Sequence, residues 1–486
     1  MAENQEYIKK GISMSKSYQM DMCHGSLFRK IILFTLPLLA TNILQLLFNA
    51  ADMIVLGQFA SHQAMAAVGA TVSINSFFVS LFMGLGIGSN VLVARFFGSG
   101  EKGELRKSVH TSMLASLLCG LVLMVVGLLA VRPLLTLMKT PDDILEKSCL
   151  YLYICFAAIP FMVIYNVGCG VLRALGDTMR PMYFLLIAGG VNVTLNVILV
   201  AGFKMEMAGV AVATAVSHIL SALMIIYVMF RSSEDSQLHL KELKLDGPIF
   251  REMLSLGIPA SIQSCCFSLA NMAIQSSINS FGSFAVAGCT AASGLEGFVW
   301  ICSYSFHTTS LSFAAQNLGG KHFKRIIQST FLCIGCAVTA SLVLGTVFFI
   351  FARPMLAMYN PDPAVIQWGL VRVRIMFSCY FLCGVMDVIS GLLRGLGHSL
   401  IATVGSLGGA FFFRIAWVYL VFPHYRTMEN LMISFPISWC LVITVHSIFC
   451  YFILRKLYRE RTIKHGRLFE ALQHSVYRSG TPGFKP

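Results

Sequence analysis

Twelve stretches of this chain are too apolar and too long to face water. The first runs from Ile31 to Leu56, and Asp52 is its only ionisable side chain. About 20 apolar residues in a helix cross the hydrocarbon core of a bilayer. Inside lipid a backbone must satisfy its own hydrogen bonds, which leaves helices or closed barrels. Barrel strands alternate apolar and polar over about ten residues; these runs are longer and do not alternate. The sequence therefore predicts helices over roughly 31–56, 66–94, 109–131, 146–172, 181–203, 208–230, 252–280, 285–316, 330–352, 364–393, 401–422 and 431–454. The fold class is all-α integral membrane. Composition agrees: 12% of residues are charged, against about 25% in soluble domains.

A formal net charge of +14 would suit a nucleic-acid partner if it were clustered. It is instead sorted by side. With the N-terminus inside, 27 of the 36 Lys and Arg fall on the cytoplasmic side and eight on the other, while Arg414 lies within a helix. This positive-inside bias predicts a multi-pass protein of the cell membrane with both termini cytoplasmic. The basic excess reports topology and not nucleic acid, and the tail can touch anionic lipid. The first apolar run is too long for a cleavable leader.

The fifteen cysteines lie mostly within apolar runs, and Cys333 and Cys336 form a lone CxxC inside a predicted helix. No second pair completes a zinc site, so packing accounts for them. Gly84-Leu85-Gly86-Ile87-Gly88 has no preceding strand and reads as helix packing. No Walker motif and no nucleophile–base arrangement stands out. The expectation is no enzyme and no cofactor.

The chain is written twice. Arg132-Pro133-Leu134-Leu135 is echoed by Arg353-Pro354-Met355-Leu356, and Leu172-Arg173-Ala174-Leu175-Gly176 by Leu393-Arg394-Gly395-Leu396-Gly397, each 221 residues later. Ala51-Asp52-Met53 returns as Ala270-Asn271-Met272. The organisation expected is a cytoplasmic segment 1–30, a six-helix lobe 31–231, a cytoplasmic linker 232–251, a second lobe 252–456 and a basic tail 457–486. Six helices per repeat give both lobes the same orientation, with their axis along the membrane normal and a central cleft between them.

The stretches "FTLPLLATNILQLLFNAADMIVLGQF", "FFGSGEKGELRKS", "LRALGDTMRP" with its echo "LRGLGHSL", and "GGVNVTLNVILV" before "AGVAVATAVS" resemble the multidrug and toxic compound extrusion (MATE) family, in order, over roughly 28–456. The resemblance implies a secondary efflux antiporter that exports organic, often cationic, drugs by alternating access in exchange for Na⁺ or H⁺. The family's carboxylate in the first helix falls on Asp52, its fifth-helix polar pair on Asn192 and Asn196, and its sixth-helix hydroxyl on Thr214. These four are the candidate ion-coupling residues, and Na⁺ is the metal they could hold. In the second lobe the family's seventh-helix Glu is absent, and its tenth-helix Asp position falls on Cys383, with Asp387 one turn on.

An intramembrane acid costs about 2.5–3.5 kcal/mol on insertion scales and is a functional-site hypothesis by default. Asp52 answers to packing or to ion coupling; the latter is the reading adopted. Asn192, Asn196 and Thr214 are ligands or interhelical glue. Asp387 is a cleft anion or a partner for Arg414, and Glu296 is as consistent with solvent at its helix end as with a functional role. Candidate substrate contacts are Asp387, Asn271, Gln263, Met53 and His307, although a satisfied core histidine is the simpler reading of His307. The 25 Met and 37 Phe supply adaptable surface for varied drugs. A monomer in the bilayer is expected. Two other classes compete: a lipid-linked oligosaccharide flippase, which needs a markedly cationic cleft, and a receptor or scaffold, which needs neither the repeat nor the buried acid.

Overall fold

The computed structural model describes residues 18–138, 140–232 and 235–478. Residues 1–17 and 479–486, parts of the expected N-terminal segment and tail, lie outside the described residues. Among the described residues there is no strand. Twelve spans follow one another. In the first lobe they are α1 (Leu27–Phe59), α2 (His62–Ser99), α3 (Lys102–Leu137), α4 (Asp142–Ala157 and Ile159–Ala174), α5 (Met179–Gly202) and α6 (Glu206–Phe230). In the second they are α7 (Gly247–Asn279), α8 (Ser283–Gly319), α9 (Phe323–Ile350), α10 (Pro363–Gly395), α11 (Ser399–Val421) and α12 (Met428–Arg478). A short helix, Ala352–Tyr359, joins α9 to α10.

The helices overrun their apolar runs where capping allows. Ser61 Oγ accepts from Ala64 N (3.2 Å), and Gly100 at φ 73° ends α2, so this helix is longer than the expected 66–94. The α4 pieces meet at a 46° bend, where Pro160 brings no N–H to the ladder. Apolar periodicity gave no sign of the wide i→i+5 turns that interrupt α5 at Val197–Gly202 and α11 at Leu407–Phe412 and Trp417–Val421.

The sequence echo has a physical cause at the turn after α4 and after α10. Gly176 (φ 88°) and Gly397 (φ 85°) both adopt the left-handed conformation. Asp177 N donates to Leu172 O and His398 N to Leu393 O, each at 2.9 Å, the same helix-ending bond 221 residues apart.

The lobes meet in the half of the membrane nearest the linker, here the linker side. There α2 crosses α8 backbone to backbone. A Cβ on Gly98 would lie 1.9 Å from Gln316 O, and one on Gly319 would lie 1.9 Å from Arg95 O. The two contacts exchange under the 221-residue repeat, as across a two-fold axis. Nearby α2 passes α7, where a Cβ on Gly84 would lie 2.1 Å from Gly257 O. Polar bonds close the seam: Thr35 to Thr309 (2.8 Å), Asn42 to Ser305 (3.1 Å), Ser261 to Leu81 O (2.9 Å), Ser312 to Asn90 (3.1 Å) and Arg95 to Glu252 (2.7 Å). Toward the far side Met53, Ile54, Val72, Leu269, Met272 and Trp300 are exposed.

Glu296 is not at a solvated helix end. It is buried, and Arg372 of α10 bonds it with both Nε (2.7 Å) and Nη2 (2.8 Å). Pairing across two helices brings both charges into the core of the second lobe. Removing one partner strands the other, at a cost of about 3–5 kcal/mol, whereas replacing both by apolar groups is often neutral. Glu296→Ala should therefore lower the thermal midpoint of purified protein strongly. The double variant Glu296→Leu with Arg372→Met should recover most of that loss.

Candidate ion and substrate site

Asp52 sits on the far half of α1, where α1, α5 and α6 converge. The approach of α1 to α5 is set by Gly189, whose Cβ would collide with the ring of Phe48 at 2.0 Å. One turn on, Asn192 and Asn196 point to the same helix face. Asn196 Nδ2 donates to Asp52 Oδ1 at 2.5 Å and to Asn192 Oδ1 at 3.2 Å. Asn192 Nδ2 in turn donates to Thr214 Oγ1 at 3.4 Å. The structure thus brings together all four residues read as ion-coupling. Asn196 is fully buried, yet its Oδ1 has no hydrogen-bond partner. A buried carbonyl oxygen left alone is costly.

Tyr151 of α4 stands close enough to interact electrostatically with Asp52; the sequence reading missed it. The signal available was the repeat, since its counterpart 221 residues on is the buried Arg372. No cluster of three or more His, Cys, Asp or Glu able to hold a metal exists among the described residues. The donors at Asp52 are instead one carboxylate, amides and a hydroxyl, the oxygen set of a hard cation.

The second lobe does not repeat this set. The counterparts of Asn192, Asn196 and Thr214 are Phe413, Trp417 and Phe435, and that of Asp52 is Asn271, which is exposed. Arg414 lies with its guanidinium 4.2 Å from the Phe435 ring centroid and donates from Nε to Ser438 Oγ (3.0 Å). Its partners are therefore an aromatic face and a hydroxyl, not Asp387. Asp387 is half-buried on α10; its main-chain oxygen accepts from His307 Nδ1 (2.8 Å), and its carboxylate faces Cys383 Sγ at 3.9 Å. Arg394, two turns on, interacts with it electrostatically. Gln263 Oε1 accepts from Arg394 Nη2 at 2.8 Å, so that carbonyl is engaged within its own lobe. Met53 is exposed on α1 beside Asp52.

At the foot of the cleft a cavity of about 50 Å³ lies between the lobes, lined among others by Asn90, Asn166, Arg173, Tyr304, His307 and Thr308. His307 is buried and stacked on Tyr304, with centroids 5.6 Å apart.

Two like bundles of membrane-spanning helices around a cleft, with carboxylates inside both of them, are the architecture of a membrane transporter. The MatE family model matches residues 37–198 and 259–420, and the chain belongs to that family. Among its relatives is "Probable multidrug resistance protein YoeA" of Bacillus subtilis (strain 168), 28% identical over 448 residues, which are 90% of this chain and 96% of that protein. "Multidrug export protein MepA" of Staphylococcus aureus (strain MRSA252) is 21% identical over 389 residues, 78% of this chain and 83% of that one. A solved structure described as the outward-facing conformation of a multidrug resistance MATE family transporter of the MOP superfamily shares the fold. Its TM-score is 0.84 at 21% identity, covering 90% of this chain and 98% of that one.

The contact between α1 and α5 is testable with two adjacent glycines. A Cβ on Gly190 meets nothing within 4 Å. Gly189→Ala should destabilise by about 1–3 kcal/mol through overpacking. Gly190→Ala should be neutral, or stabilising by up to about 1 kcal/mol through helix propensity. Thermal unfolding of the two variants in the same detergent reads the difference.

Proposed function

We propose that this protein is a secondary active multidrug efflux antiporter that exports organic, often cationic, compounds in exchange for Na⁺ or H⁺ through a single ion site at Asp52. The observation that carries this reading is the unpartnered Asn196 Oδ1 beside the Asp52 carboxylate. In the structure the Asn196 NH₂ group fills the space between Asp52 Oδ1 and Asn192 Oδ1, as a small cation would. Turning that amide by half a rotation replaces the N–H donors with Asn196 Oδ1, which then faces two other oxygens, an arrangement that a cation drawn in among them stabilises. Three oxygens, one of them anionic, then converge, and Thr214 Oγ1 lies behind Asn192. Asp52 balances one positive charge, so Na⁺ and H⁺ compete for it and do not bind together.

The cycle follows from that competition. With the linker side cytoplasmic, as the charge bias supports, the cleft opens outward and the ion loads from outside. A membrane potential of 100 mV contributes about 2.3 kcal/mol per net charge carried fully inward, which favours export of a neutral drug; exchange for a singly cationic drug is electroneutral and runs on the ion's concentration gradient. The relatives' names, multidrug resistance and multidrug export, support the cargo class. Asp387, Met53, Asn271 and His307 would meet the drug in the cleft, with Asp387 as the anion for cationic cargo.

Na⁺ binding to the purified protein across pH is the test. Na⁺ should raise thermal stability by mass action, by about 2.7 kcal/mol at a hundred times its Kd. Its affinity should fall as pH falls, because protons take Asp52. Asp52→Asn should fold and insert but lose both Na⁺ stabilisation and gradient-driven efflux in proteoliposomes. Na⁺ affinity indifferent to pH and to Asn196→Ala would falsify the shared site. Separately, Asp387→Ala should weaken binding of a fluorescent cationic drug while leaving Na⁺ stabilisation intact.

A further inference from the structure

Ahead of α1, residues 18–25 do not trail into solvent. They lie across the seam between the lobes on the linker side, with an anchor on each. On the first lobe, Met20 N donates to Leu175 O (3.1 Å). Gly176 leaves room for this, since a Cβ there would lie 2.5 Å from Met20 N and from Met20 O. The Arg180 guanidinium lies over the Tyr18 ring, 5.2 Å from its centroid. On the second lobe, Met22 N donates to Gln316 Oε1 (2.5 Å), and Asn317 Nδ2 donates to Met22 O (3.2 Å). Arg325 spreads its guanidinium over three strap carbonyls: Met22 O (3.1 Å), His24 O (3.0 Å) and Gly25 O (2.9 Å).

Gln316 is the joint. Its Oε1 holds the strap while its Nε2 donates to Ala174 O of the first lobe at 3.1 Å. The Met22 side chain is fully buried in an apolar cluster with Phe34, Phe306, Phe313 and Val388. Charge-assisted bonds to backbone carbonyls are among the stronger neutral–ion contacts, and here one arginine makes three. Capping of α1 does not account for this: Ser26 makes no side-chain cap bond, and although Lys30 of α1 also bonds the carbonyls of Asp21 and His24, the second-lobe partners lie nearly 300 residues away in sequence.

We infer that residues 18–25 form a clasp that holds the two lobes together on the linker side and must release for the cleft to open there, with Gln316 and Arg325 as its receptors. The inference rests on the alternating-access reading above and adds to it a specific lock. Because the clasp runs directly into α1, the helix that carries Asp52 also carries the closure of the opposite face.

Two thiols read the clasp without any transport measurement. Cys23 is buried in the strap, its Sγ 3.5 Å from Gln316 O. Burial first, then the charge of Asp21, pushes its thiol up to about 11 from an ordinary 9.0. The thiolate is the reactive form, so the docked Cys23 should alkylate slowly. Ser312 is fully buried on the seam against Asn90 and touches no strap residue through its hydroxyl. In purified full-length Ser312→Cys protein, a water-soluble maleimide and peptide mapping follow both thiols.

Arg325→Gln, which cuts the second-lobe anchor, should speed alkylation of both by about tenfold or more, the equivalent of one hydrogen bond to a charged group. Tyr18→Ala, a mild cut at the other anchor, should speed both to a smaller degree; a monodisperse elution profile checks that it folds. If Cys23 alone accelerates, the strap frays locally and clasps nothing. If neither does, or if Cys23 already reacts as a free thiol in the parent, the inference is wrong. Na⁺ and drug are absent from this assay, so its failure leaves the ion-site reading standing, and the loss of Na⁺ binding would leave the clasp standing.

Discussion

Where α2 and α8 cross, main chain lies on main chain. Gly98 rests on the carbonyl of Gln316 and Gly319 on that of Arg95, each so close that a methyl group would overlap the oxygen. Everything on the linker side depends on that approach. It puts Asn90 within reach of Ser312, lets Arg95 reach Glu252, and places Gln316 where its amide can bond Ala174 and Met22 at once. It also sets the cleft's shape, since two bundles that touch at one end diverge toward the other. Small residues permit such contact in lipid, where no hydrophobic force drives helices together and close packing must do so.

The lobes share a fold and divide the chemistry. In the first, Asp52, Asn196, Asn192 and Thr214 form one continuous chain of hydrogen bonds that ends on a single carboxylate. In the second, the corresponding region is aromatic, and Arg414 is a cation fixed to the chain, resting on Phe435. Glu296 and Arg372 neutralise one another nearby. The second lobe keeps one further carboxylate, Asp387, which faces Cys383 and feels the charge of Arg394, whereas Asp52 in the first bonds the Asn196 amide. The two copies of the repeat thus share an architecture and differ at the four positions of that hydrogen-bonded chain.

Much of this was legible in the residues. Apolar runs of bilayer length, the sorting of Lys and Arg, and the 221-residue echo are properties of single helices and of composition, which sequence displays directly. The grouping of Asp52 with Asn192 and Asn196 was legible through the resemblance and through the i, i+4 spacing on one face. Three features were not. Glu296 and Arg372 pair across different helices, and counting from the apolar boundaries alone leaves Glu296 as consistent with a solvated helix end. The wide turns in α5 and α11 insert a residue without changing hydropathy. The strap reads as an ordinary polar leader because its partners, Gln316, Asn317 and Arg325, are distant in sequence, and its bonds run mostly through backbone atoms that every residue possesses.

That distance has a consequence for how the protein is made. Met22 leaves the ribosome 294 positions ahead of Gln316. At about 5–20 residues per second, the strap waits roughly 15–60 s before its receptors exist. During that interval the first lobe can complete its own packing, including the contact between Asp52 and Asn196, with its leading segment unattached on the second-lobe side. Docking of Met22 on Gln316 and of Arg325 on the strap carbonyls then becomes a late event of biogenesis, possible only when both bundles are inserted in the same orientation. A segment made ahead of both lobes and bonded to both thus reports, once docked, that the second has arrived.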